Sequence, residues 1–312
     1  FAGDNSLAAV GSNTALINLL TNLFIGLSIG ANVVAARHYG AKAWDDLRRT
    51  VHTAMLLSML SGALLLVLGV IGAEQMLIWM QTPEEVLPLA TVYLRIYFLG
   101  MISTMVYNFG SALLRAVGDT KRPLYFLLAA GVVNVLLNLV FVIKLHMDVA
   151  GVALATVISQ CISAALVIRC LMKETGPLRL DLRQLKIYPM KLKQIMQVGI
   201  PAGFQGVLFS LANVTVQSSI NSFDDTVLVA GSSASSSVEN FVYANVNSFY
   251  QANTAFTSQN FGAGNYKRIL KIRHTAVIAG VISTTLLGWI AILFGHQLLG
   301  IYSTSPEVVQ AG

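Results

Sequence analysis

Long apolar stretches alternate with short polar connections along almost the whole chain. No Asp, Glu, Lys or Arg occurs between Asp4 and Arg37, between Arg49 and Glu74, or between Lys193 and Asp224. An apolar run of about 20 residues is long enough to cross a bilayer as a helix. The runs lack the two-residue alternation of a membrane barrel, so helices are predicted and strands are not. Eight spans follow, near residues 11–36, 52–73, 87–114, 123–144, 149–172, 197–222, 232–258 and 275–296. The predicted class is an all-α polytopic membrane protein.

The pattern repeats. Shifted by 222 residues, His52-Thr53-Ala54 falls on His274-Thr275-Ala276, Gly40-Ala41 on Gly262-Ala263, Leu64-Leu65 on Leu286-Leu287 and Gln75 on Gln297. After a one-residue insertion, Pro83-Glu84 meets Pro306-Glu307. Each copy reads as an apolar span, a basic turn opened by aromatic-Gly-Ala, a second apolar span, then Thr/Ser-Pro-Glu. Duplicated spans are a common construction of secondary transporters, with the substrate path between the halves. An even number of spans, six, separates the copies, so an axis along the membrane normal is expected to relate them. On this register the span at 197–222 maps before Phe1, and those near 87–114, 123–144 and 149–172 map beyond Gly312. One further span is therefore expected before the first residue and three after the last, as in an internal fragment.

At 55% apolar and 11% charged residues, the chain is too apolar for a soluble domain of 312 residues. Its net charge of +6 could suit nucleic acid, but the distribution of charge points elsewhere. Arg37, Lys42, Arg48, Arg49, Arg115, Lys121, Arg122, the cluster from Arg169 to Lys193, and Lys267, Arg268, Lys271 and Arg273 occupy alternate connections. The intervening ones carry Glu74, Glu84, Glu85, Asp148, Asp224, Asp225 and Glu307, with Arg95 and Lys144 the bases nearby. Basic loops face the cytoplasm. A multi-pass protein of the plasma membrane is expected, with the lipid bilayer as partner, both chain ends outside and no nucleic-acid role.

The segment 173–196 is the one long polar connection, with Leu182, Leu185, Ile187 and Met190 interleaved with Arg183, Lys186 and Lys191. It is expected to lie on the inner membrane surface and link two halves. Gly26 and Gly30 read as close helix packing, and Pro123 suits the first turn of a helix. Pro201, between Gly199 and Gly203, reads as a kink or as a tolerated membrane proline. Cys161 and Cys170 lie nine apart on one helix and cannot bond to each other, so they read as small apolar fillers. His52 and His274 recur in the repeat, which suggests a shared packing position. Asp119 reads as an inner-loop turn bracing helix ends.

With these residues in view, the chain resembles the multidrug and toxic compound extrusion (MATE) family of cation-coupled efflux transporters. The likeness rests on Leu7-Ala8-Ala9-Val10-Gly11, on Arg37-His38-Tyr39-Gly40-Ala41-Lys42 and on Gln259-Asn260-Phe261-Gly262-Ala263-Gly264. It rests also on Leu114-Arg115-Ala116-Val117-Gly118-Asp119-Thr120-Lys121-Arg122-Pro123 and on Gly199-Ile200-Pro201-Ala202-Gly203. The resemblance implies twelve helices in two six-helix lobes around a central cleft, of which this chain would hold the second to ninth. Residues 1–172 would then form the first lobe, 173–196 the cytoplasmic linker and 197–312 the start of the second lobe.

An ionisable group inside a bilayer is a functional candidate by default. Glu239 is the one carboxylate well inside an apolar run, where burial would favour taking up a proton or a bare cation; pairing near the outer helix end is the alternative. Tyr243, Asn247 and Tyr250 follow on the same span, with Asn245, Gln251 and Asn253, as a candidate cavity lining or as interhelical hydrogen-bonding groups. Asn134 and Asn138 share one helix face and could offer amide oxygens to a hard cation or simply join helices. Relatives of the family carry Asn then Asp at these positions, with an Asp on the first helix and a Thr on the sixth. Thr156 matches that Thr, whereas Asn138 departs from the pattern. An acid that some relatives carry after Gly-Ile-Pro is absent, leaving Gln205 and Asn213 as the polar residues there. Arg95 can snorkel toward the outer headgroups.

No metal-ligand set, phosphate loop or nucleophile–base pair is visible, so neither an enzyme nor ATP-driven pumping is predicted, and no cofactor is expected beyond a coupling ion, sodium or proton. The resemblance implies a monomeric antiporter exporting amphipathic, often cationic organic compounds by alternating access. The alternatives are a lipid-linked precursor flippase of the same superfamily and a non-transporting membrane receptor or scaffold.

Overall fold

The computed structural model describes residues 4–80, 82, 84–221, 226–300 and 306–312, and among these every regular element is helical. The helices are α1 (Asp4–Gly40), α2 (Trp44–Trp79), α3 (Leu87–Leu99), α4 (Met101–Ala116), α5 (Lys121–Asn138), α6 (Asp148–Lys173), α7 (Pro189–Asn221), α8 (Thr226–Gly262), α9 (Tyr266–Leu293), α10 (Gly295–Gly300) and α11 (Pro306–Ala311). The predicted apolar stretches correspond to α1 through α9 in order. Among the described residues, six helices are long and apolar enough to cross a membrane, or seven if the bent pair α3–α4 is one span. Helix α8 is not among them, because Ser, Asn and Gln side chains punctuate its length.

Two departures from straight spans have local causes. The stretch read as one span at 87–114 breaks at Gly100, where α3 and α4 meet at 47°. A Cβ on Gly100 would stand 3.1 Å from Val157 Cγ2, so the bare backbone lets this corner rest on α6. Beyond Asn138, α5 widens into a π-helical turn, Leu139–Lys144, closed by Leu145 N donating to Val140 O at 3.1 Å. Such turns occur preferentially at functional sites.

The described chain divides into two compact units, Phe1–Ser210 and Leu211–Gly312. In the first, α1 to α4 and α6 enclose Leu94, Phe98, Met101, Met105 and Phe109, all fully buried. Lipid tails are as apolar as these side chains, so close packing and interhelical hydrogen bonds hold such a bundle together. Asn32 Nδ2 donates to Ala112 O at 2.7 Å and Asn13 Nδ2 to Ala90 O at 3.0 Å, tying α1 to α4 and α3. Gly26 and Gly30 do serve close packing. A Cβ on Gly26 would collide with the Gly203 backbone nitrogen, and one on Gly30 with Ile195 O, so α1 and α7 touch backbone to backbone. Helix α7 continues through Pro201, which is exposed.

The segment before α7 folds back on the first unit. Leu178 and Leu180 are buried in its core, Asp181 N donates to His52 Nε2 at 3.3 Å and Tyr188 N donates to Thr53 Oγ1 at 3.2 Å. The division by packing therefore falls within α7 and not in the linker, because linker and early α7 dock on α1 and α2. Asp119 braces helix ends as expected. It accepts from Arg122 N at 3.2 Å and pairs with the Arg122 guanidinium, which also reaches Glu174 at the end of α6. Arg95 pairs with Glu74 on α2 at 3.2 Å, both exposed.

The sequence repeat is also a repeat of local structure. Tyr39 and Trp44 meet edge to face at 5.9 Å, and Phe261 and Tyr266, their counterparts 222 residues on, meet at 5.7 Å. Between them the chain turns at Lys42 with φ 54° and at Gly264 with φ 72°. The turn bonds match as well. Lys42 N donates to Tyr39 O and Gly264 N to Phe261 O, both at 3.1 Å. His52 Nδ1 bonds Arg48 O at 2.9 Å and His274 Nδ1 bonds Leu270 O at 2.6 Å. The recurring histidine bonds its own helix backbone in each copy, but His52 is buried whereas His274 is exposed, so the shared packing position expected from the repeat holds for His52 alone.

Candidate coupling site and cavities

Three of the candidates, Asn134, Asn138 and Thr156, converge between α5 and α6. Asn138 Nδ2 donates to Asn134 Oδ1 at 3.0 Å, one helical turn away. Asn134 Nδ2 in turn faces Thr156 Oγ1 at 3.5 Å and Ser159 Oγ at 3.4 Å on α6. Thr156 Oγ1 donates to Val152 O at 2.9 Å, and Ser159 Oγ to Thr156 O at 2.8 Å, which leaves both oxygens oriented by their own helix. Asn138 Oδ1 is buried and receives no hydrogen bond from the described residues. A buried acceptor left without a donor costs about 1–3 kcal/mol, and Thr91 Oγ1, Ser111 Oγ and Gln194 Oε1 are in the same state among the described residues. Asn138 also closes the last regular turn before the π-helical segment, which redirects the backbone beside it. Ser159 was missed in the sequence. It lies three residues from Thr156 on the same face of α6, a spacing that would have disclosed it.

In the second unit, Ser235, Val238, Glu239 and Val242 of α8 line a cavity of about 600 Å³ with Ala291 and Ile292 of α9 and with His296 and Leu299 of α10. A second cavity, of about 470 Å³, is lined by Val246, Phe249, Tyr250 and Asn253 of α8 and by Ala276 to Thr285 of α9. These α8 residues recur at three- and four-residue spacing and form one stripe along the helix. Glu239 is exposed, which corrects the burial expected from its apolar surroundings. The physical reason is the cavity beside it. Asn245, at the edge of the same stripe, joins α9 by accepting from Ser283 Oγ at 3.0 Å and facing Thr284 Oγ1 at 3.4 Å, whereas Glu239 opens into the cavity.

Of the other cavity candidates, Tyr250 lines the second cavity, whereas Tyr243 and Asn247 line neither. Gln205 and Asn213 are exposed on α7 and line neither cavity. His296 was not anticipated. A lone histidine in a connecting segment carries no periodic signal, and a short helix brings it to the Glu239 cavity.

Many long apolar helices, a duplicated helix–turn–helix unit and a polar cluster among membrane-type helices define a polytopic membrane transporter. The MatE family model matches residues 1–140 and again residues 201–312, and the chain belongs to this family of multidrug efflux transporters. The double match follows the duplication. The second begins in the stretch that the 222-residue register places before Phe1. Similar curated proteins include "Probable multidrug resistance protein YoeA" of Bacillus subtilis (strain 168), 29% identical over 98% of this chain and 68% of the relative. Another is the "FAD transporter" of Shewanella oneidensis, 24% identical over 99% of this chain and 69% of that protein. Among solved structures, an outward-facing multidrug resistance MATE family transporter of the MOP superfamily superposes with a TM-score of 0.89 at 22% identity, covering 99% of this chain and 69% of that one. That likeness extends the agreement to the fold.

Proposed function

We propose that this protein exports amphipathic, often cationic organic compounds in exchange for inward-moving sodium or protons. It does so by alternating access between a first lobe, 1–172, and a second beginning at 197, joined by the basic segment 173–196. The basic connections face the cytoplasm, and the protein works as a monomer in the plasma membrane. The observation that carries this reading is the polar cluster between α5 and α6, in which Asn138 bonds the Asn134 amide and Asn134 faces the Thr156 hydroxyl. Neutral oxygen donors of this kind suit a hard cation or the end of a water chain. Glu239 brings a negative charge to a largely apolar cavity, a combination that suits an organic cation.

A coupling ion and a substrate exchange when they favour different conformations, since only differential affinity shifts an equilibrium. Neutralising Glu239 with sodium or a proton removes its attraction for a cationic substrate and releases it outward. Glu239 also weighs against the flippase alternative, because a phosphate headgroup would meet a carboxylate in this cavity.

The test uses the intact protein in vesicles, loaded with a fluorescent organic cation under an imposed sodium or proton gradient. Glu239→Gln abolishes gradient-driven efflux, and Asn138→Ala lowers it by about tenfold, the effect of losing one polar ligand worth about 1.4 kcal/mol. Both variants insert in the membrane at wild-type levels. Unchanged efflux and unchanged ion dependence in both would remove these residues from the coupling scheme.

A further inference from the structure

Lys191, in the first turn of α7, is 6% exposed, a rare environment for a lysine. Its ammonium lies 2.7 Å from Asp46 Oδ1, in the first turn of α2, and donates to His38 Nε2, in the last turn of α1, at 3.0 Å. Around it the Arg49 guanidinium stands 5.5 Å over the Tyr188 ring, and the Asp181 and Tyr188 amides bond His52 and Thr53. Each of these contacts ties the segment entering α7 to the corner between α1 and α2. Further along, α7 meets α1 through the bare backbones of Gly26, Gly30, Gly199 and Gly203, with an Asn22–Ser210 bond of 2.7 Å beyond them. Glycines present no side chain to bond across, so the polar contacts lie at the two ends of this seam, one at Ser210 and the charged one at Lys191.

A buried ion pair adds little net stability over an apolar pair of the same size. It differs in that both ions regain water when they part, so the contact can be remade at modest cost. We propose that the Lys191–Asp46–His38 contact is a latch that opens and recloses in each transport cycle. Closed, it pins the start of α7 to the α1–α2 corner. Open, Lys191 and Asp46 are rehydrated at the basic surface of the protein, and α7 is free to move against α1. This inference rests on the alternating-access reading above, since Lys191 stands where the linker enters the second lobe.

The experiment uses the intact protein in vesicles, with Cys161→Ser and Cys170→Ser as background and Asp46→Cys with Lys191→Cys added. A short bis-methanethiosulfonate reagent bridges the new thiols, and a reductant removes the bridge. The expected result is efflux in the unbridged protein, a loss of about tenfold or more on bridging, and recovery on reduction. Equal efflux before and after bridging makes the contact a static brace and overturns the latch, while leaving the export reading intact. Absence of efflux from the wild-type protein would overturn export itself, and with it the latch. Should the double cysteine variant fail to fold, the charge swap decides. Asp46→Lys and Lys191→Asp each lower efflux by about tenfold, and together they restore it to within about twofold. A swap no better than its single variants overturns the proposal.

Discussion

Replacing Gly26 by alanine is expected to remove most of the folded protein from the membrane. The added methyl group would run into the Gly203 nitrogen and lie 2.7 Å from Gly199 O, both backbone atoms of α7. A flexible side chain could swing away, but a helix backbone cannot, so α1 and α7 must separate along their whole contact. Overpacking of this kind costs about 3 kcal/mol, a large share of the stability of an ordinary domain. Gly131→Ala in α5 is the control, because a Cβ there meets nothing within 4 Å. Helix propensity alone makes that change neutral or stabilising by up to about 1 kcal/mol. Thermal midpoints of the detergent-solubilised proteins measure both. Equal midpoints for the two variants would mean that α1 and α7 do not meet at these glycines.

The second large effect is an asymmetry within one ion pair. Asp46→Ala leaves the Lys191 ammonium buried, with His38 as its remaining described partner, and stranding a buried ion costs about 3 kcal/mol. Lys191→Met removes the buried charge and keeps a stem of similar length, while Asp46, with 45% of its side chain exposed, returns to water. That change should cost less than about 1 kcal/mol. The same thermal midpoints decide. Losses of equal size would show that Lys191 is no more buried than its partner.

Much of this fold is legible in the sequence because a bilayer imposes a simple constraint. Uncharged runs must be helices, and those that follow Asp4 and Lys193 give α1 (Asp4–Gly40) and α7 (Pro189–Asn221). The repeat was legible down to the basic turn, since an aromatic-Gly-Ala sequence recurs where the two aromatic pairs and two left-handed residues recur in space. Asn134, Asn138 and Thr156 were legible as a group because helical spacing fixes the first two and family likeness supplied the third. What escaped depends on neighbours distant in the chain. The bend at Gly100 exists because Val157 lies against it, and no local pattern announces a residue 57 positions away. Lys191 reads as one more basic linker residue until α1 and α2 close over it. The exposure of Glu239 depends on the cavity that α8, α9 and α10 leave beside it, which the pattern of α8 alone does not announce.

Cation exchange is the centre of this account, and one paired measurement addresses it. In vesicles holding the intact protein, the outward flux of an organic cation is recorded together with sodium and proton movement. Each pulse of substrate is expected to evoke an opposite flux of one of these ions, and export is expected to stop when the gradient of that ion is collapsed. Export that continues with both gradients collapsed, or ion movement indifferent to substrate, would contradict cation exchange.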